Sequence, residues 1–94
     1  MKATGRAENY QKDGTMQVMA ETTKLKEIRR SLGASLEGVA RRTHSVSSGT
    51  VKNAENGKRI TFDTATQILE AINTMLEEVG RARVTLDDLG ITLY

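Results

Sequence analysis

The sequence contains no cysteine and a single histidine, His44. Without cysteine the chain can form neither a disulfide framework nor a thiolate metal site, and one imidazole is too few for a structural zinc site. The chain also lacks any apolar run near the roughly 20 residues that cross a bilayer, and no apolar segment typical of a signal peptide follows Lys2. We therefore expect a cytoplasmic protein without a membrane segment or a structural metal.

Catalytic groups are equally scarce. The one histidine has no cysteine beside it, the serines form no recognisable nucleophile–base pair, and no glycine-rich phosphate loop is present. We therefore expect neither an enzyme nor a bound cofactor.

The chain is also short. Ninety-four residues make one small domain, which buries only a modest share of its surface. A second subunit would add buried surface, so a homodimer is expected on size alone.

Charge is unevenly distributed although the net charge is only +2. Residues 1–23 are balanced, residues 24–59 hold nine basic and three acidic side chains, and residues 60–94 hold two basic and six acidic ones. Such an asymmetry is expected when one face of a small domain meets a polyanion. Solvated charge on exposed helices would give the same pattern, so the charge alone does not decide.

The chain divides into a polar tail and one domain. Residues 1–14 have scattered charges and no apolar periodicity, which indicates a tail without fixed structure. Residues 15–94 form the single predicted domain. At its ends, residues 15–20 and 91–94 alternate between apolar and polar side chains, as short strands do. We expect these two strands to pair in a small sheet, either within one chain or between subunits.

Helical spacing dominates between these ends. Thr23 caps a first helix that ends at Gly33, with Leu25, Ile28 and Leu32 on its buried face. Its predicted outward-facing side chains are Lys24, Lys26, Arg29 and Arg30.

Thr61 caps the longest predicted helix, and Thr85 caps a final single turn. The long helix has an apolar stripe of Ala65, Ile68, Leu69, Ile72, Leu76 and Val79. Its outer face is predicted to carry Glu70, Asn73, Glu77 and Glu78.

Residues 35–57 contain two short helical patterns separated by a tight break. Ser35 caps the first and Ser47 caps the second, and the break between them is too short for a free loop. Val46 is expected to turn back into the core just before Ser47. Two helices joined in this way must cross at a sharp angle, which predicts a helix-turn-helix within a compact all-α domain of four to five helices.

The second of these helices has an unusual exposed face. Its outward-facing residues combine short hydroxyl, amide and glycine positions with one lysine: Ser48, Gly49, Lys52, Asn53 and Asn56. Short polar groups suit close approach to base edges, where they can donate and accept hydrogen bonds. Glu55 is expected to fold back onto a neighbouring basic residue, because phosphates would repel it.

The stretch from Lys24 to Leu76 resembles the xenobiotic response element family of helix-turn-helix regulators, which includes the phage repressors and Cro proteins. The family pattern is close to S-L-E-E-L-A, a turn, and a hydroxyl-rich helix ending in E-N-G-K. The matching residues are Ser35, Leu36, Glu37, Val39, Ala40, Thr50, Val51, Glu55, Asn56, Gly57 and Lys58. The resemblance implies a repressor-like DNA-binding domain, often with a short fifth helix.

Two departures from the family pattern concern the turn and the second helix. His44 stands where the family usually has glycine, and Val46 arrives one residue late, so that His44-Ser45 resembles a single-residue insertion. Leu36 stands where many relatives have a glutamine that contacts a base or phosphate.

The resemblance also implies a set of DNA contacts. The base contacts would come from Ser47, Ser48, Gly49, Lys52 and Asn53, with Asn53 the best candidate for a bidentate bond to adenine. The phosphate contacts would come from Arg41, Arg42, Thr50, Asn56, Lys58 and Arg59.

Two functions of different classes follow from these patterns. The first is a sequence-specific regulator of double-stranded DNA, a dimeric repressor that inserts residues 47–56 into the major groove of a pseudo-palindromic operator. The alternative is an antitoxin-type or other protein-interaction module that binds a partner protein, such as a toxin, with DNA binding secondary.

Overall fold

The computed structural model describes residues 23–94, in which the chain forms five helices. They are α1 (Lys24–Ser31), α2 (Leu36–Arg41), α3 (Ser48–Glu55), α4 (Phe62–Glu78) and α5 (Leu86–Leu89). The predicted all-α fold and its helix order are confirmed. None of these helices has the length and apolarity needed to cross a membrane.

Every one of the five helices begins at a serine or threonine. The hydroxyl of each capping residue accepts a hydrogen bond from the backbone N–H three residues later, which satisfies a donor that the helix itself leaves unpaired. The capping residues are Thr23, Ser35, Ser47, Thr61 and Thr85. These local signals explain why the starts of the helices can be predicted from the sequence.

The core lies around α4. Its buried side chains include Ala65, Ile68, Ala71, Ile72 and Leu76. The other helices contribute the fully buried Leu25, Val39, Val51, Ala54 and Leu89. Each fully buried aliphatic side chain of valine or leucine size contributes about 1.5–3 kcal/mol to folding. α2 packs on α3 and α4, and α5 packs on α1 and α4, so the helix-turn-helix rests on a single shared core.

Two residues near the end of α4 differ from the prediction. Val79 is 59% exposed, because Glu78 is the last residue of the helix and Val79 only caps it. Asn73, predicted on the outer face, is buried, with only 2% of its surface exposed. Its Oδ1 accepts from the Val84 N–H at 2.7 Å and its Nδ2 donates to the Val84 carbonyl at 3.0 Å, so Asn73 holds the segment between α4 and α5.

The end of the chain pairs with the residue that precedes α4. Leu93 forms an isolated parallel bridge with Ile60, in which the Ile60 N–H donates to the Thr92 carbonyl at 3.0 Å and the Tyr94 N–H to the Ile60 carbonyl at 3.1 Å. Since α4 begins at Phe62, few extended residues are available, and residues 23–94 contain no sheet.

The remaining predictions for the ends of the chain fall outside this range. The predicted strand at residues 15–20 and the predicted tail at residues 1–14 precede the described residues. The pairing of residues 15–20 with residues 91–94 therefore stays a prediction.

Candidate nucleic-acid interface

The face of α3 that points away from the core has the composition that the sequence predicts. Val51, Ala54 and Glu55 are buried on its inner side. Of the predicted outer residues, Gly49, Lys52, Asn53 and Asn56 are exposed and Ser48 is half-buried. Because residues three and four apart are neighbours on a helix surface, these side chains form one continuous polar strip. We call Ser48, Gly49, Lys52, Asn53 and Asn56 the α3 strip.

The hydroxyl groups at the start of α3 bond to each other and to the helix backbone. Ser47 Oγ accepts from the Thr50 N–H at 3.1 Å and lies 3.1 Å from Thr50 Oγ1. Both residues therefore help to fix the first turn of α3. The exposed Ser47 hydroxyl keeps a lone pair for an outside donor if it donates to Thr50 Oγ1, and keeps its own hydrogen for an outside acceptor if Thr50 Oγ1 donates to it.

A buried ion pair fixes α3 against α1. The Arg29 guanidinium bonds to both carboxylate oxygens of Glu55, through Nε to Oε2 and through Nη2 to Oε1 at 3.0 Å. Arg29 Nη1 also donates to the Ala34 carbonyl at 2.8 Å. The hydrogen bond to Glu55 raises the pKa of the Arg29 guanidinium above its ordinary value.

This ion pair has two consequences for the sequence predictions. The expectation that Glu55 folds back on a basic residue is confirmed. The outward orientation predicted for Arg29 is wrong, because its side chain is only 13% exposed and turns inward to reach the Glu55 carboxylate.

The turn between α2 and α3 is held by side chains from two elements. Thr43 Oγ1 accepts from the Val46 N–H at 3.1 Å, and Val46 is buried as predicted. From α4, Gln67 Oε1 accepts from the backbone N–H groups of His44 and Ser45 at 3.0 and 3.1 Å. The two residues that depart from the family pattern are thus anchored to α4.

The segment after α3 places two cations at the surface. Gly57 has a φ of 84°, a left-handed conformation that glycine adopts readily, and this allows the Lys58 N–H to donate to the Asn53 carbonyl at 3.0 Å. Lys58 and Arg59 follow as exposed residues before Ile60 returns to the core.

The two arginines at the end of α2 differ in their surroundings. Arg42 donates through Nη1 and Nη2 to the carboxylate of Glu78 at 2.8 and 3.0 Å, and this hydrogen bonding raises the pKa of Arg42 and lowers the pKa of Glu78. A phosphate contact by Arg42 would therefore have to compete with Glu78 or use the remaining N–H donors of the guanidinium. Arg41 Nη2 lies 3.9 Å from Glu37 Oε1, and both side chains are largely exposed. Arg41 is therefore more readily available than Arg42 for a phosphate contact.

The match to known families agrees with this geometry. A family model described as helix-turn-helix matches residues 25–79, more than half of the chain. The chain belongs to this Cro/C1-type helix-turn-helix family. It is therefore a DNA-binding transcription regulator. No curated protein and no solved structure gives a significant match.

In this helix-turn-helix regulator, sequence reasoning missed Gln67 as a residue of the site. A signal for it does exist in the sequence. An extra residue in a short turn brings an extra backbone N–H that needs an acceptor, and a polar side chain on a neighbouring helix can supply one. Which side chain does so depends on how α4 packs, so the sequence alone cannot single out Gln67.

Proposed function

We propose that this regulator binds a specific DNA sequence by placing the α3 strip in the major groove. The observation that supports this most strongly is the composition of the strip: short polar side chains and one lysine, exposed except for the half-buried Ser48, with Asn53 at the surface. A major groove admits one α-helix, and an asparagine can bond bidentately to an adenine at an energetic advantage of about 1–3 kcal/mol over a wrong base.

The cationic residues around the strip support the same orientation. Lys58 and Arg59 are exposed directly after α3, and Arg41 is exposed at the end of α2. In this proposal they bind phosphates together with Thr50 and Asn56 and fix the position of α3 along the duplex. The acidic Glu77 and Glu78 lie in the last turn of α4, where each carboxylate is paired with an arginine, Glu77 with Arg83 and Glu78 with Arg42.

We further propose that two copies bind one operator. Of the large apolar side chains exposed in the described part of the chain, Phe62 and Tyr94 both lie next to the Ile60–Leu93 bridge, and a second subunit could cover them, whereas Val79 lies at the other end of α4. A dimer with a two-fold axis would recognise an inverted repeat whose half-sites lie about one helical turn, roughly 34 Å, apart. Repression by occupying a promoter is the simplest mechanism for such a complex.

Selection of bound duplexes from a random pool tests both proposals together. We expect a consensus made of two inverted half-sites, and affinity for it that falls steeply as the salt concentration rises. Light scattering on the complex should give two protein chains for each duplex. Equal binding to every duplex would contradict sequence recognition. A consensus with one half-site and one bound chain would contradict only the proposal of a dimer.

A further inference from the structure

The turn between α2 and α3 carries backbone groups that need partners. His44 and Ser45 are both exposed. Their successive backbone N–H groups take part in no hydrogen bond of a helix or strand and donate instead to a side chain of α4. At this position the sequence resembles the family pattern with one extra residue inserted. An added residue lengthens the turn and would leave the direction of α3 relative to α2 less constrained, unless something outside the turn holds it.

One side chain of α4 supplies that constraint. Gln67 Oε1 accepts from the N–H groups of both His44 and Ser45, and Gln67 Nε2 donates to Ser45 Oγ at 3.3 Å. A single amide thus bonds three groups of the two turn residues. Because a carbonyl oxygen has two lone pairs, both N–H bonds can form at once.

Asp63, one helical turn earlier, determines which way the Gln67 amide faces. Its Oδ2 accepts from Gln67 Nε2 at 3.1 Å. A carboxylate can only accept, so it requires the NH₂ end of the amide on its side and leaves the carbonyl end facing the turn. With the amide reversed, two donors would meet at the turn and two acceptors would meet at Asp63. Asp63 and Gln67 therefore act as a pair.

We propose that Gln67, oriented by Asp63, is a positioning residue for DNA recognition. It fixes the lengthened turn and with it the direction in which α3 presents Asn53. This inference rests on the proposed function, since it concerns the same α3 strip. It assigns to the start of α4 a role in DNA affinity without requiring that Gln67 itself touch DNA.

Because the turn is exposed, loss of the Gln67 amide should affect DNA binding and stability differently. If the Gln67 amide is removed, water can bond to the exposed N–H groups of His44 and Ser45, so the free energy of unfolding should change little. What is lost is the fixed geometry, and the turn must then be ordered when DNA binds. A residue that serves only stability would show the opposite pattern.

The variant Gln67→Met, which keeps the length of the side chain and removes its amide, tests the proposal. We expect its affinity for the selected operator to fall by about tenfold, as loss of one or two hydrogen bonds in the bound geometry implies. Its urea midpoint should stay near that of the unaltered protein. The control is Thr74→Ala, which removes an exposed α4 hydroxyl bonded only within its own helix.

An exchange of the pair provides the sharper test. Gln67→Glu alone sets two carboxylates side by side, and Asp63→Asn alone removes the group that orients the amide, so each single change should weaken operator binding. The double variant Asp63→Asn with Gln67→Glu keeps the net charge and restores the bond between positions 63 and 67 and the bonds to the two turn N–H groups. In it, the new amide at position 63 can donate to the new carboxylate at position 67, which still accepts from both turn N–H groups. We expect its operator affinity to return toward that of the unaltered protein.

The possible outcomes distinguish failure of the role proposed for Gln67 from failure of the proposed function. Operator affinity unchanged in Gln67→Met, or a double variant no better than the worse single variant, would overturn the role of Gln67 while leaving the proposed function intact. If the unaltered protein shows no preference among duplexes, the proposed function itself fails. Slower hydrogen exchange of the His44 and Ser45 amides in the unaltered protein than in Gln67→Met would support the positioning role independently of DNA, and equal exchange rates would contradict it.

Discussion

Glu55→Ala is expected to lower the free energy of unfolding by about 3–5 kcal/mol, the loss typical of breaking a buried ion pair. Glu55 is 3% exposed and receives two hydrogen bonds from Arg29, whose own side chain is 13% exposed. Removing the carboxylate leaves the Arg29 guanidinium largely buried without its counter-charge. The measurement is urea unfolding followed by circular dichroism.

Two further variants serve as controls that attribute the loss of stability to the buried ion pair. Glu37→Ala removes a carboxylate from an exposed pair with Arg41, where both side chains are largely in water, and should cost no more than about 1 kcal/mol. Glu55→Gln keeps the shape and part of the hydrogen bonding, so it should lie between the other two and remain folded if Glu55→Ala does not. Similar midpoints for all three variants would show that the buried pair does not hold α3 in place.

Asn73→Ala should lower the free energy of unfolding by about 2–4 kcal/mol, because two good hydrogen bonds are lost and a nearly buried site is emptied. Both polar atoms of the Asn73 side chain bond to the backbone of Val84. The Val84 N–H and carbonyl would lose these partners, and the segment that leads from α4 to α5 would be released.

Hydrogen exchange locates this effect. The Val84 amide should exchange much faster in Asn73→Ala, whereas the neighbouring exposed change Thr74→Ala should leave it as it is. A uniform small change across the whole chain, with Val84 still protected, would contradict the role assigned to Asn73.

The starts of the helices could be predicted from the sequence because their causes are local. A serine or threonine lies at the start of every described helix and bonds within its own first turn, as Ser47 does with Thr50. The end of α4 could not be predicted as closely, since Val79 has the spacing of a core residue but follows the last helical position. Apolar spacing alone does not show where a helix stops.

The polar contacts between helices could not be predicted in the same way. Arg29 and Arg30 are adjacent and chemically identical, yet only Arg29 reaches Glu55, which lies 26 residues further along the chain. That choice depends on the rotation of α1 against α3. Asn73 and Gln67 follow the same rule, because each bonds backbone groups that the packing of α4 places beside it.

In the candidate site too, features with a local cause could be predicted and contacts between helices could not. The composition of the α3 strip could be predicted, because burial of Val51 and Ala54 determines which residues face outward. The partner of Arg42 could not, because Glu78 lies on the far end of a different helix. The sequence around either residue does not single out its partner in a contact that forms between distant parts of the chain.

The central claim is that α3 reads bases while the residues after it hold phosphates, and one comparison tests it most directly. The consensus sequence would be selected from random duplexes with the unaltered protein, with Asn53→Ala and with Lys58→Ala. We expect Asn53→Ala to lose its preference at one position in each half-site. Lys58→Ala should keep the consensus, bind all duplexes more weakly and reduce the slope of log affinity against log salt concentration by about 1. Equal effects of both variants on every duplex would contradict it.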